Sequence, residues 1–345
     1  MKKFICVLLG ILMITSTLAF VSCDKQGTED TTTAGEQTTA PEATETTVKF
    51  GMGVFTTVSS ATDATEDKEG QGKVTITAAV LTVDAQGKVV ACDIDTADLT
   101  VKYTFDGKAI ANDGFKTKYE LGADYNMVAY GGAAKEWFEQ VDAFESVVVG
   151  KTLDEIKALV AEGGKGGEGV IAAGCTITVT DFVNAIEKAF ANLADSAATS
   201  ANTVKVAFNV EQSIKDAAEE ADGQNQVETT VVGAALDAQG KVVVAASDCV
   251  QVKFTFDATG ASTYDLTKAV SSKRELGANY GMVNYGGAAK EWFEQADAFN
   301  ALCAGKTAAE IAAMCGADNY GTDELKAAGC TILVNGLTKA AAKLG

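Results

Sequence analysis

Apolar and polar residues alternate across residues 73–83, a run rich in Val, Ile and Thr, and this period of two predicts a β-strand. Asp84-Ala85-Gln86-Gly87-Lys88 supplies turn residues, residues 89–94 predict the return strand, and residues 100–105 predict a third. The front half therefore reads as antiparallel sheet. Downstream the period changes. Residues 133–148 place Trp137, Val141, Phe144 and Val148 on one face of a predicted helix that Gly150 ends. Thr152-Leu153-Asp154-Glu155 fits a capping box, in which the threonine hydroxyl takes an orphan backbone amide and the glutamate reaches back to the cap. Residues 175–179 predict a short strand, and the next predicted helix carries Phe182, Ala185, Ile186, Ala189, Phe190 and Leu193 on one side. Sheet and helices fall in separate stretches, so the expected class is α+β, an antiparallel sheet packed with helices.

The pattern occurs twice. Residues 120–144 and 275–299 agree at 21 of 25 positions, differing only at Asp124/Asn279, Asn126/Gly281, Ala129/Asn284 and Val141/Ala296. Upstream, Asp84 to Val90 recurs as Asp237 to Val243; downstream, Ala172-Ala173-Gly174-Cys175-Thr176-Ile177 recurs as Ala327-Ala328-Gly329-Cys330-Thr331-Ile332. Thr307 and Glu310 repeat the capping box. Order is kept throughout, so two tandem copies of one domain are expected, residues 48–199 and 200–345, each long enough to bury its own core. The small, polar residues 195–203 suit a linker.

Ahead of the repeats stand Met1-Lys2-Lys3, an uncharged apolar run and Ser22-Cys23. A basic start, an apolar middle and a small residue at the cut describe a signal peptide over residues 1–22. Phe20-Val21-Ser22-Cys23 resembles the bacterial lipoprotein signal, which implies lipidation of Cys23 and residence on the extracellular face of the cell membrane, anchored by the lipid. An uncleaved anchor helix is the alternative. Residues 23–47 are mostly Thr, Glu, Ala, Gly and Gln and contain Pro41, the sole proline; they predict a disordered tether.

Composition excludes whole classes of function. A formal net charge of −19 leaves no basic stripe for nucleic acid, and loss of Lys2 and Lys3 makes the mature chain two units more negative. The absence of histidine removes Ser-His-Asp and Cys-His catalysis and histidine metal sites. No C-x-x-C pair occurs among the cysteines, so no metal site is expected, and buried free thiols are the simpler reading for the six outside the first 23 residues. Gly164, Gly166 and Gly169 spell G-x-G-x-x-G but follow a predicted helix where a dinucleotide turn needs a strand. Gly150-Lys151-Thr152 and Gly305-Lys306-Thr307 mimic the end of a phosphate loop, yet Glu145 and Asn300 replace its first glycine.

Gly174-Cys175-Thr176-Ile177-Thr178, followed by a helix with Ala185-Ile186 and Lys188-Ala189, resembles the C-terminal signature of the FMN-binding domain family. The strand pair around Asp84 to Val90, and Glu120-Leu121-Gly122 as a shortened E-x-x-G-L-G loop, are similar to other parts of that family. With the lipoprotein signal, the whole looks like the Gram-positive pheromone-type lipoproteins, whose tandem FMN-binding domains serve extracellular electron transfer. The resemblance implies FMN joined through its phosphate to Thr176 and Thr331 by a flavin transferase, beside Gly174 and Gly329. It further implies cofactor contacts at Glu120, Leu121, Gly122, Tyr125, Tyr130, Gly131 and Gly132, and at Glu275, Leu276, Gly277, Tyr280 and Tyr285. A membrane redox donor and an extracellular acceptor would be the partners, with the protein a carrier rather than an enzyme with its own substrate. The sequence departs from the signature at Cys175, Cys330, Ala173 and Ala328, and Gly336 interrupts the second helix. Thr62, in Ser59-Ser60-Ala61-Thr62, is a competing threonine, read as part of a turn because its counterpart is Lys215. Trp137 and Trp292 read as core residues. A non-redox surface binding or structural module stays open as a rival, as does a peptide pheromone cut from the signal.

Overall fold

Three long strands, β1 (Thr47–Thr62), β2 (Gly70–Val83) and β3 (Val89–Tyr103), form an antiparallel meander. The two-residue β4 (Ala109–Ile110) extends it beyond β3. In β2, Val74, Ile76, Ala78 and Val80 enter one buried cluster while Ala79, Leu81 and Val83 enter another, so the strand is apolar on both faces. Each face must therefore meet another layer. The predicted return strand and third strand are one element: β3 runs unbroken through Asp93, Asp95 and Asp98, whose polarity masks the alternation. Thr62 is no turn residue but the end of β1, paired with Gln71.

Helices cover one face of this sheet. After the short α1 (Lys118–Leu121) come α2 (Trp137–Val148), α3 (Leu153–Lys157), α4 (Glu168–Ala173) and α5 (Thr180–Ala191). Their Trp137, Val141, Phe144, Ile156, Val170, Phe182 and Ile186 share a core with Ala79, Leu81 and Ile94 of the sheet. Helix α5 lies directly on β1, because a Cβ at Gly53 would stand 2.3 Å from both Ala185 O and Ala189 N. The first helix begins at Trp137 rather than 133, since Glu136 takes the N-cap and closes a capping box with Glu139. Residues 175–179 make no strand; Thr178 forms a single bridge with Lys165.

The computed structural model describes residues Glu45–Gly345, which form one compact unit. The signal peptide, Cys23 and nearly all of the tether lie outside the described residues. The stretch expected as a linker instead contains β5 (Ala194–Thr199), which pairs with the start of β1, and the beginning of β6 (Thr203–Lys215). With β7 (Gly223–Leu236) and β8 (Val242–Phe256), β6 forms a second antiparallel sheet in the order β6-β7-β8. Then follow α6 (Lys273–Leu276), α7 (Trp292–Cys303), α8 (Ala308–Ala312), α9 (Asp323–Ala327) and α10 (Asn335–Ala341). Gly336 sits in the first turn of α10 without breaking it.

The two sheets pack face to face. Phe50, Met52, Ile76, Val80 and Leu99 of the first share a buried cluster with Val206, Phe208, Val231, Val252 and Phe254 of the second, giving a helix-sheet-sheet-helix sandwich. Each repeat buries a core between its own sheet and helices, as expected, and the two share a further core between the sheets. Their contact is self-complementary, as in a two-fold dimer. Tyr103 stacks on its own counterpart, Phe256, at 4.3 Å and 8°. Ala64 N donates to Gly260 O and the equivalent Ala217 N to Gly107 O, both at 2.8 Å. Lys188 pairs with Glu275 at 2.5 Å, and the equivalent Lys343 with Glu120 at 2.6 Å.

Candidate functional site

Register across β2 and β3 sets Thr75 opposite Asp98 and Thr77 opposite Thr96, all near the helix-covered face of repeat 1. The Thr75 hydroxyl donates to Asp98 Oδ1 at 2.8 Å, and Thr77 and Thr96 share a hydrogen bond at 3.0 Å. Over this floor α1 brings Lys118, whose Nζ lies 2.9 Å from Asp98 Oδ2. The ammonium also stands 5.1 Å from the Tyr125 ring centre and 5.5 Å from that of Trp137, within cation–π range. Burial works against the charge of Lys118, but Asp98, aided by Tyr125, outweighs it and lifts its pKa above the ordinary lysine value. Met127, Ile177, Thr178, Asp181 and Phe182 complete a pocket of about 370 Å³. That size suits a small-molecule site.

Repeat 2 keeps this arrangement with the acid moved. Glu228 stands in place of Thr75 and Gln251 in place of Asp98, directly across the ladder. Lys273 Nζ pairs with Glu228 Oε1 at 2.9 Å beneath Tyr280 and Trp292. A buried lysine thus retains one carboxylate although its strand has changed. Desolvation raises the Glu228 pKa, yet Lys273 more than offsets it, leaving the carboxylate below its ordinary value. Thr178 and Asp181 become Leu333 and Gly336, which strips two polar groups from the rim.

Thr176 and Thr331 are exposed, in the segments between α4 and α5 and between α9 and α10. Each is held by a buried glutamine. Gln140 Oε1 accepts from the Thr176 N–H and hydroxyl at 2.9 Å each, and Gln295 does the same for Thr331 at 2.8 and 3.0 Å. The glutamine Nε2 groups donate to Lys135 O and Lys290 O at 3.0 Å. Gly174 and Gly329 have φ of 109° and 101°. At both positions a Cβ would fall within 2.3 Å of a lysine Nζ, that of Lys135 or Lys290. The ammonium thus packs against the bare backbone of the glycine. Among the described residues neither lysine has a carboxylate within 4 Å.

Other expected contacts are placed elsewhere. Glu120 and Glu275 are not loop residues. They close capping boxes with Thr117 and Ser272, accepting those N–H groups at 2.8 and 2.9 Å, and they carry the inter-repeat ion pairs. Leu121 and Leu276 end the same short helices, and Gly122 and Gly277 cap them. Tyr125 and Tyr280 do enter the lysine sites. Tyr130 and Tyr285 are 87% and 90% exposed on a loop and line no pocket with Lys118 or Lys273. Gly131 is required there by Met127 O, 2.6 Å from where a Cβ would be, and Gly132 adopts a φ of 66°. Glu136 holds the same loop by accepting the Met127 and Val128 N–H groups at 2.9 and 3.2 Å; Glu291 repeats this with Met282 and Val283.

Sequence reasoning passed over Lys118, Lys273, Gln140 and Lys135. The signal for the first two was present: each stands two residues ahead of the Glu-Leu-Gly shared by both copies, while its neighbour changes from Tyr119 to Arg274. All six cysteines among the described residues are free thiols, and among these residues no His, Cys, Asp and Glu cluster could hold a metal ion. None of the described helices is long and apolar enough to cross a membrane. The chain matches no protein-family model, no curated protein and no solved structure.

Proposed function

We propose that the chain is an exported, lipid-anchored electron carrier that holds FMN on Thr176, and in repeat 2 on Thr331. The observation that carries this reading is the Lys135 ammonium, without a carboxylate within 4 Å among the described residues, packed against Gly174 two residues before the exposed Thr176, near a pocket with Tyr125, Met127 and Trp137 in its wall. The donor set fits a phosphate ester with an aromatic ring system nearby. Lys135 offers the charge for the phosphate. A helix start adds little, because Thr176 follows the C-terminus of α4 as closely as it precedes α5. Esterification replaces the Thr176 hydroxyl hydrogen, so the hydroxyl bond to Gln140 is given up while the backbone N–H bond to the same oxygen keeps the segment in place. Lys118 would put a fixed positive charge at the base of the pocket, and Asp98 with Thr75 orients it. When bound, FMN supplies reversible electron and hydride transfer. Anchoring at Cys23 on a tether would keep the carrier between a membrane donor and an outside acceptor.

Protein co-expressed with a flavin transferase should gain up to two FMN-sized mass increments. Thr176→Ala should remove one, Thr331→Ala the other, and Thr62→Ala neither. A colourless protein with no mass gain would overturn the flavin reading and favour a non-redox binding module.

A further inference from the structure

Gln140 and Gln295 are each 1% exposed, within α2 and α7, where a buried amide is costly unless its polar atoms are bonded. Gln140 Oε1 accepts the N–H and the hydroxyl of Thr176, and its Nε2 donates to Lys135 O. Repeat 2 reproduces all three bonds to within 0.1 Å. A clamp that served only to hold the segment would be complete with the backbone N–H. The second bond fixes the threonine side chain.

That bond has a chemical consequence. A hydroxyl carries one donor and two lone pairs. The Thr176 proton is turned to Gln140, and among the described residues no group donates to its oxygen, so the exposed side chain presents its lone pairs in one rotamer. The neighbouring threonines differ. Thr178 is exposed, and among the described residues its hydroxyl has no partner to fix it. Thr180, half-buried in the first turn of α5, donates to Gly164 O at 3.3 Å. In repeat 2 these positions are Leu333 and Asn335, which leaves Thr331 without a rival hydroxyl. Cys175 and Cys330 are fully buried and bring no competing nucleophile to the surface. The same glutamine also ties the backbone of Lys135, whose ammonium packs against Gly174 two residues before the acceptor.

Resting on the flavin reading above, we propose that Gln140 and Gln295 are positioning residues that choose the threonine to be modified, so that a flavin transferase acts on the folded chain. Gln140 and Thr176 stand 36 positions apart and meet only through the fold. With a flavin dinucleotide as donor, the Thr176 oxygen bonds to the flavin-side phosphorus and the pyrophosphate bridge breaks. The nucleoside monophosphate leaves and the hydroxyl proton is released to solvent. Holding the acceptor in one rotamer removes part of the orientational cost of that step, where a misplacement of about 1 Å costs about a hundredfold.

The test follows mass gain with time when the full chain is incubated with a flavin transferase and flavin dinucleotide, the increments being mapped to residues by peptide mass. Repeat 2 is the internal reference. Gln140→Met keeps the side-chain length and deletes the acceptor; Gln140→Asn stays polar but withdraws the oxygen by one methylene. In each, labelling of Thr176 should fall by about tenfold or more relative to Thr331 of the same molecule, with part of the remaining label moving to Thr178. Gln295→Met should reverse the bias, with no other hydroxyl between Gly329 and Gly336 to take the label. Thermal melts followed through Trp137 in a Trp292→Phe background report that repeat 1 of each variant is folded. A folded variant of either kind that labels Thr176 as fast as the native chain overturns the proposal and leaves the flavin reading standing. A native chain that gains no mass overturns that reading, and the proposal with it.

Discussion

Phe254 belongs to repeat 2, yet it fills space over repeat 1: a Cβ at Gly72 would lie 2.3 Å from its ring. Its ring also packs on Tyr264 at 4.8 Å, inside the core shared by both sheets. Phe254→Ala leaves a hole that Gly72 cannot fill, and removal of a buried phenylalanine costs about 3–5 kcal/mol. For about 300 residues unfolding together, at about 2.1 cal/mol/K per residue, that lowers Tm by about 5–8 °C. Each repeat contains one tryptophan, which makes the decisive comparison available. In a Trp292→Phe background fluorescence reports on Trp137 in repeat 1, and in a Trp137→Phe background on Trp292 in repeat 2. If the shared core makes the sandwich one cooperative unit, Phe254→Ala shifts both transitions by the same amount. A Trp137 transition that ignores Phe254→Ala would refute the reasoning and restore two independently folding copies.

Burial raises the Glu145 pKa to about 9, with Asp93 and Asp142 adding to it, and the neighbouring Asp93 and Asp95 are raised to about 6 and about 7 by burial. A raised acid holds its proton in the folded state where the unfolded chain has lost it, so stability falls as pH rises between about 4.5 and 9. Glu145→Gln should flatten that slope in urea titrations and be more stable than the native chain at pH 8 by about 1–3 kcal/mol; an unchanged slope would contradict the neutral carboxyl. Gly53→Ala should destabilise by about 2 kcal/mol or more, since the added methyl meets the α5 backbone, and a neutral effect in thermal melts would deny the close approach. Cys23→Ala should abolish lipid labelling of expressed protein, and labelling that persists would remove the anchor from the proposal.

The sequence made the sheet legible through the alternation that opens the run at residues 73–77, and the capping boxes at Thr152/Glu155 and Thr307/Glu310 through residue type alone. It hid β1, because Gly51 and Gly53, which α5 requires, interrupt any apolar period. The strand β3 was split on paper by three aspartates. Asp95 is buried nonetheless, since it accepts the Thr96 and Tyr119 N–H groups at 2.7 and 3.2 Å. One sign of the face-to-face packing was readable. Residues 78–83 are apolar or threonine without alternation, which a strand with a solvated face does not tolerate.

Similarity between the copies and chemistry of the copies part company in this molecule. The block shared at 21 of 25 positions holds Glu136, Gln140, Gly131 and Trp137, and each of these clamps a loop or fills the core. Such roles recur wherever the scaffold recurs. Some differences are buried, as Val141 against Ala296, but several line the openings beside the sheets. Tyr119 becomes Arg274, Glu145 becomes Asn300, Asp93 becomes Ala246, and the acid that pairs with the site lysine moves from β3 in repeat 1 to β7, the counterpart of β2, in repeat 2. Duplication fixed the packing twice, because both halves of a self-complementary interface must fit each other. It left Asp93, Tyr119 and Glu145 free to diverge, because those side chains stand outside the apolar core that the sheets share. What the two repeats could do in common is therefore to be sought where they agree, at Thr176 and Thr331, and what sets them apart where they disagree.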